Sequence, residues 1–155
     1  WAKPDAKNKF QKKYPIAQNA VQLQQGTVMD LYPTILSVAH VKPPKHYAQD
    51  GADLKKLFQG KEDKKHRDDF LMHFPHGEHR ANYFTTYRKG DWKLIYYYHP
   101  ETTGIPTWKL YNLKDDPYEA SEVSAKYPEK AASMIELMKK RLTEENALYP
   151  ITENK

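Results

Sequence analysis

The sequence predicts an α+β fold, in which an antiparallel sheet of about four strands packs against a long C-terminal helix. The first observation is a run of strand-forming, aromatic-rich residues with a period of two, which extends from Asn82 to Leu113. The second is a helical recurrence of apolar residues that begins after Pro128 and ends near Asn146. Its apolar positions are Met134, Ile135, Met138 and Leu142.

The strand over Asp91–Tyr98 is the clearest, because its side chains alternate between two faces. Lys89-Gly90 joins it to a similar stretch, Tyr83–Arg88, and glycine supplies the positive φ that a tight hairpin loop requires. Phe70–Phe74 precedes this hairpin as a further strand, and Trp108–Leu113 follows it after a loop that contains proline and glycine. These segments predict an antiparallel meander.

The N-terminal part of the chain predicts short helices. Residues 1–26 are rich in Lys, Gln and Asn without a sustained period, and we interpret them as an extended arm with one short strand at Ala20–Leu23. A helix is predicted over residues 30–41, with Asp30 as its N-cap and a buried stripe formed by Leu31, Ile35, Leu36 and Ala39. This helix has too much apolar surface to lie alone in solvent. A second short helix is predicted over residues 53–59.

Composition excludes several classes of site. The 155 residues contain no cysteine, so the chain has no disulfide, no zinc–thiolate site and no thiol nucleophile. No apolar run approaches the ~18 residues of a membrane-spanning helix. The net charge of +5 is modest and the lysines are scattered, which disfavours nucleic-acid binding because a clustered basic stripe is missing. Since the chain begins at Trp1 without a methionine, we expect it to be processed or cut from a longer protein.

Four sequence motifs follow one another along the chain: DLYPTIL at 30–36, DG at 50–51, GDWKLI at 90–95, and LYNL with DPYE at 110–119. In this order and spacing they resemble the C-terminal part of the type I, formylglycine-dependent sulfatases, which belong to the alkaline-phosphatase-like superfamily. The resemblance extends from Gln25 to Leu142. Asn112 departs from the pattern, since the family often has aspartate there.

The resemblance implies a division of the chain. In these sulfatases a DLYPT-type helix ends the large α/β domain, so residues 27–68 are expected to be the end of a parent α/β domain. Residues 69–148 are then the smaller C-terminal α+β subdomain, and residues 149–155 a frayed tail.

The resemblance also implies that the catalytic parts lie elsewhere. The family converts a C/S-x-P-x-R motif to formylglycine beside a calcium ion held by clustered Asp and Asn, and this sequence has no such motif. We therefore expect an inert fragment without a cofactor of its own, whose nucleophile and metal ligands are encoded upstream of Trp1. The expected partners are the N-terminal catalytic domain and a sulfated carbohydrate. A periplasmic or secreted bacterial enzyme is implied by the resemblance alone.

One cluster of side chains could contact substrate. Three histidines and an arginine follow one another at the end of a predicted strand: His73, His76, His79 and Arg80. They could bind a sugar hydroxyl or pair with a sulfate or carboxylate, and C-terminal domains of similar sulfatases border the active-site cleft. An exposed polar loop is the alternative interpretation. Metal binding is a third, although Pro75 and Gly77 prevent the helix that would align the histidines.

Two other functions remain open. Trp92, Trp108 and the run Tyr96–Tyr98 could form a stacking platform for a sugar, as in a stand-alone carbohydrate-binding or interaction module, although such residues are more often core. The chain could also be the C-terminal part of a related phosphodiester or phosphonate hydrolase. The segment that carries the nucleophile would decide between these hydrolases.

Overall fold

The computed structural model describes residues 5, 7–76, 83–99 and 104–150, and the chain divides into two compact units, Trp1–Asp68 and Asp69–Lys155. The described residues of the first unit contain three short α-helices: α1 (Lys9–Lys13), α2 (Leu31–Ala39) and α3 (Lys55–Phe58). A 3-10 turn over Val28–Asp30 leads directly into α2. None of the described helices has the length and apolar character that crossing a membrane requires.

The N-terminal arm is less extended than the sequence indicated. α1 forms because the side chain of Asn8 accepts hydrogen bonds from the backbone N–H groups of Phe10 and Gln11, which satisfies two donors of the first turn. The strand expected at Ala20–Leu23 does not form in this described stretch. The α1 helix was not predicted because residues 1–26 lack a regular apolar period, and the start of the helix depends on one cap residue, Asn8.

A buried carboxylate organises the first unit. Asp30 accepts hydrogen bonds from the backbone N–H groups of Thr27 at 2.7 Å and Ala52 at 2.8 Å, and its side chain is almost completely buried. One turn later, the Thr34 hydroxyl donates to the Asp30 carbonyl at 2.6 Å and accepts from the Leu54 N–H at 3.0 Å. The DLYPTIL motif therefore holds the loop that leads into α3.

Gly51, in the DG motif, lies directly against this turn. A Cβ atom at position 51 would lie 2.1 Å from the carbonyl oxygen of Met29, a contact that no side chain can make. Glycine is required because the backbone of another segment occupies the place of its side chain. The DLYPTIL and DG motifs therefore pack directly against each other.

The prediction that one apolar stripe of α2 is buried is wrong for three of its four residues. Leu31 and Ile35 are 44% and 61% exposed and Ala39 is exposed, whereas Leu36 is half-buried. Within α2, all of which is described, Thr34 is the buried residue. The helix presents its hydrogen-bonding side to its own unit because Asp30 and Thr34 bind the following loop.

The second unit has the predicted α+β architecture. Where this unit is described, it has four strands, β1 (Asp69–Phe74), β2 (Phe84–Lys89), β3 (Trp92–Tyr97) and β4 (Trp108–Asn112), which pair antiparallel in the order β1-β2-β3-β4. The long helix α4 (Pro128–Glu144) follows, with proline in its first turn. The meander and the C-terminal helix are both confirmed.

The core lies between the sheet and α4. Leu94 pairs with Tyr87 on one side and with Leu110 on the other, so that three neighbouring strands present these side chains to the helix. The buried side chains of the core are Tyr87, Leu94, Leu110, Ala131, Met134, Met138 and Leu142. Their spacing in α4 is the helical period that the sequence showed.

An ion pair joins two further motifs on the opposite side of β3. The ammonium group of Lys93, in GDWKLI, lies 2.7 Å from both carboxylate oxygens of Glu119, in DPYE, and both side chains are half-buried. Glu119 has a φ of +57°, which an ordinary side chain rarely adopts. The turn after β4 is thus held against the sheet by a charge-assisted hydrogen bond.

Candidate functional site

The structure describes two of the four residues of the predicted histidine–arginine cluster, His73 and His76. His73 lies within β1, and His76 lies two residues beyond its end. His79 and Arg80 fall outside the described residues. The geometry of the cluster can therefore be given for its two histidines at 73 and 76.

Both ring nitrogens of His73 are engaged in hydrogen bonds. Nε2 lies 2.7 Å from the carbonyl oxygen of Leu148, which can only accept, so Nε2 carries the proton. In the neutral ring Nδ1 then accepts from the Thr85 hydroxyl at 2.7 Å. The Tyr98 hydroxyl, 2.8 Å from Thr85, completes the chain as a donor. We call these four residues the His73 network.

Aromatic rings surround this network. The rings of Tyr98 and Tyr149 meet the His73 ring edge to face, at centroid distances of 5.9 and 6.0 Å. Burial raises the pKa of the Tyr98 phenol above its ordinary value, although the Thr85 hydroxyl, which can donate to the phenolate form, opposes the shift. The Tyr98 hydroxyl therefore remains protonated and can donate. The arrangement attaches the segment after α4 to β1 and leaves His73 no ring nitrogen for a substrate.

His76 is in a different environment. It is exposed, and its ring meets Phe74 edge to face at 5.6 Å, while Phe74 stacks on Phe84 at 5.7 Å. Because successive residues of a strand point to opposite faces, Phe74 lies on the face opposite His73. The two histidines are therefore not brought together, and His76 has the imidazole that solvent reaches.

The part of the chain that the structure describes contains no group of three or more His, Asp or Glu side chains placed to hold a metal ion. Its turn carboxylates serve structural roles instead. Asp69 accepts from the Tyr87 hydroxyl at 3.1 Å, and Asp116 accepts from the Ser121 N–H at 2.8 Å. The described residues do not fit a calcium site, which needs six to eight oxygen ligands.

The aromatic residues do not form one platform. Trp92 meets the ring of Tyr127 edge to face at 5.1 Å and is packed against the core. Tyr97 is on the other face, with the ammonium group of Lys109 lying 5.8 Å from its ring centroid. Trp108, 41% exposed, borders a cleft of about 530 Å³ between the sheet and α4.

That cleft was not predicted. Its lining is mainly apolar: Tyr96, Trp108, Ala125, Pro128, Ala131, Ala132 and Ile135, with Ser124, Glu136 and Lys139 completing it. The sequence signal that could have found it is the pair of alanines at 131 and 132, which leaves space between the helix and an aromatic strand residue. Glu136 and Lys139 pair with each other at 3.2 Å.

Comparisons with known proteins agree on one family. The sequence model described as "N-sulphoglucosamine sulphohydrolase, C-terminal" matches residues 5–147. An uncharacterized sulfatase of Schizosaccharomyces pombe is 34% identical over 121 residues, which is 71% of this chain and 20% of that protein. The chain thus spans about a fifth of the length of this relative.

Solved structures show the same relationship. The structure of BT4656 in complex with its substrate, D-glucosamine-2-N,6-O-disulfate, has a TM-score of 0.57 and 28% identity, over 74% of this chain and 23% of that chain. The structure of BT1596, a 2-O GAG sulfatase, has a TM-score of 0.60 and 22% identity, over 76% of this chain and 24% of that chain. The second likeness is one of fold.

Proposed function

Since the chain belongs to the N-sulphoglucosamine sulphohydrolase C-terminal family of sulfatases, we propose that it is part of a longer enzyme that hydrolyses sulfate esters of a carbohydrate. The match over residues 5–147 is the observation that carries this proposal. One similar protein supports the substrate class, since it was solved with a sulfated glucosamine.

In this proposal the chain contributes no reacting group. It has no cysteine and no Ser-x-Pro-x-Arg sequence, and its described residues do not fit a calcium site. The formylglycine nucleophile and the calcium ion that the family implies belong to an N-terminal catalytic domain. Export to the periplasm or the cell exterior is part of the same proposal and rests on the family resemblance.

The division of the chain follows the same reasoning. Residues 27–68 are the end of the large α/β domain of the enzyme, and residues 69–148 are its C-terminal α+β subdomain. The buried hydrogen bonds of Asp30 and Thr34 support the first assignment, because they hold α2 in an orientation that leaves its apolar residues Leu31 and Ile35 exposed. The sheet and α4 support the second, because they form a complete core.

The loop after β1 supplies substrate contacts. The candidates are His76, which the structure describes, and His79 and Arg80, which lie outside the described residues. Their side chains can donate hydrogen bonds to the anionic oxygens of a sulfate group. His73 positions the strand end instead, because both of its ring nitrogens are engaged.

The first test is sulfate release. The intact protein is incubated with D-glucosamine-2-N,6-O-disulfate and with a synthetic aryl sulfate, and free sulfate is measured by ion chromatography. We expect release by the intact protein and none by the 155-residue chain alone. Turnover by the chain alone contradicts the proposal, as does an intact enzyme that cleaves phosphonate monoesters but no sulfate ester.

The second test concerns the loop. His76→Ala in the intact enzyme is expected to raise KM for the sulfated sugar about tenfold, the size of a lost hydrogen bond to a charged group. His46→Ala, which changes an exposed histidine of the first unit, is the matched control and leaves KM unchanged. If the two variants have the same KM, His76 does not contact the substrate.

A further inference from the structure

The cleft between the sheet and α4 has an aromatic wall that solvent reaches. Tyr96 and Trp108 pair across β3 and β4, so their side chains are neighbours on the same face of the sheet, and both line the cleft. Tyr96 is packed against the core, whereas Trp108 is 41% exposed. Among the described residues, the ring and cation contacts of tryptophan are made by Trp92 and not by Trp108. The indole of Trp108 is therefore open to a ligand in the cleft.

The backbone of β4 is open at the same place. The N–H group of Leu110 donates to the carboxylate of Glu122 and its carbonyl accepts from the N–H of Val123, so both groups point away from β3. This direction repeats at every second residue of a strand, so the N–H and C=O groups of Trp108 point the same way. In the part of the chain that the structure describes, neither group has a partner. The edge beside the cleft thus offers one donor and one acceptor.

Two kinds of occupant fit this edge poorly. An added peptide strand would find no second donor, because Pro106 takes the next position along the edge and has no N–H group. A wholly apolar occupant would cover the two backbone groups of Trp108 and leave them without a hydrogen-bond partner. The site therefore calls for a small ligand that has both an apolar surface and hydrogen-bonding groups.

The remaining walls of the cleft have the same mixed character. Ala131 and Ile135 provide apolar surface, Ser124 adds a hydroxyl group, and Glu136 and Lys139 form an ion pair at 3.2 Å. The volume of about 530 Å³ falls within the roughly 300–1,000 Å³ of small-molecule sites, whose walls are mostly apolar with a few polar groups. Because the two charges of the ion pair cancel, the cleft favours an uncharged ligand over an anion.

We propose that the cleft binds an uncharged pyranose unit of a carbohydrate. The C–H groups of a pyranose form an apolar face that stacks on the indole of Trp108. Its hydroxyl groups reach the backbone of Trp108, the hydroxyl of Ser124 and the carboxylate of Glu136. None of these residues belongs to the loop after β1. The cleft thus holds an unsulfated part of a saccharide, a role that goes beyond the proposed hydrolysis and does not require it.

An NMR titration of the 155-residue chain with the methyl glycoside of N-acetylglucosamine, which carries no charge, tests the site. This chain lacks the proposed catalytic domain, so the signals report on its own residues. We expect saturable shifts of the indole N–H of Trp108 and of the amides of Ser124, Ala125 and Ala132. The expected Kd is about 1 mM, because a ligand of this size makes few contacts.

Two variants address the aromatic wall and the space in front of it. Trp108→Ala should weaken binding at least about tenfold, because it removes the stacking surface. Tyr118→Ala, which removes a 91% exposed aromatic ring outside the cleft, is its control. Ala132→Leu keeps Trp108 and a good helix former but fills the cleft, so it should weaken binding as well. Ser133→Leu, at the next and exposed position of α4, is the matched control and leaves binding unchanged.

Four results would overturn the proposal. The first is the absence of a saturable shift at millimolar glycoside, and the second is equal affinity of the unmodified chain, Trp108→Ala and Ala132→Leu. The third is tighter binding of D-glucosamine-2-N,6-O-disulfate at the same signals, which would mean that the cleft selects an anion. The fourth is a shift with hexan-1-ol but none with the glycoside, which would identify an apolar occupant. None of these results depends on sulfate release, so failure of this site is distinguished from failure of the proposed function.

Discussion

The two units of the chain differ in which side chains their principal helices turn inward. In the first, Asp30 and Thr34 turn inward, and the apolar residues Leu31 and Ile35 of α2 turn outward. In the second, α4 turns Met134 and Met138 inward against Leu94 of the sheet. The second unit carries a core of seven buried side chains between the sheet and α4. In the described part of the first unit, the buried apolar side chains are Tyr14, Leu54 and Leu57, which lie beside the hydrogen-bonded Asp30 and Thr34.

The largest expected effect comes from the core of the second unit. Leu94→Ala removes a fully buried side chain and should lower the free energy of unfolding by about 2–5 kcal/mol. In the same 155-residue chain, Ile35→Ala should cost less than about 0.5 kcal/mol, because Ile35 is exposed. Urea denaturation of both variants provides the measurement. If both variants lost the same free energy of unfolding, Leu94 and Ile35 would not differ in burial as described.

The hydrogen bonds of the first unit give the next effect. Thr34→Val keeps the shape of the side chain but leaves the N–H group of Leu54 without its acceptor, so we expect a loss of about 1–3 kcal/mol in the free energy of unfolding. Thr143→Val, whose hydroxyl donates to a helix carbonyl at an exposed position, is the control. A Thr34 variant as stable as this control would mean that the buried hydroxyl does not hold the unit together.

The His73 network should give a smaller and more local effect. His73→Phe removes the hydrogen bond to the Leu148 carbonyl, so we expect a loss of about 1 kcal/mol and faster amide exchange in residues 147–149. His76→Phe changes an exposed ring and serves as the control. If residues 147–149 exchange at the same rate in both variants, the network does not attach the segment after α4.

The smallest expected effect is a dependence on pH at the edge of the sheet. Partial burial raises the pKa of Glu122, but hydrogen bonds from the N–H groups of Leu110 and Ser124 lower it, and the net pKa lies below its ordinary value. The ionised carboxylate therefore stabilises the fold above its unfolded pKa of about 4.3. This stabilisation is lost as the pH falls through the lower pKa of the folded state.

Because Glu122 is largely solvated, the change should be less than about 1 kcal/mol. Urea denaturation between pH 7 and pH 3 measures it, and Glu122→Gln should remove this part of the pH dependence. Glu62→Gln, at an exposed position of the first unit, is the control. If the stability of Glu122→Gln depends on pH as that of the unmodified chain does, the hydrogen bonds from Leu110 and Ser124 do not favour the ionised carboxylate.

The second unit could be predicted from sequence because its signals are local. The alternation around Leu94 and the helical spacing of Met134, Met138 and Leu142 report directly on which sides are buried. The predicted helices at 30–41 and 53–59 likewise occur as α2 with its preceding 3-10 turn and as α3, with shifted ends. Helix ends depend on individual caps, such as His40, which ends α2 with a φ of +57°.

The orientation of α2 could not be predicted, because apolar spacing shows that a stripe exists without showing what covers it. The partners of Asp30 and Thr34 come from a loop about twenty residues away, a distance that no helical pattern encodes. The same limit applies to the site. Nothing in the spacing of His73 and His76 indicated that a carbonyl at Leu148 would engage the first and leave the second exposed.

The most direct measurement is amide hydrogen exchange across α2 in two proteins, the 155-residue chain and the intact enzyme. If residues 27–68 are the end of a larger α/β domain, the amides of Leu31–Ala39 exchange rapidly in the chain alone and are strongly protected in the intact enzyme, while those of β3 are protected in both. Protection of α2 that is equal in the two proteins would contradict the account.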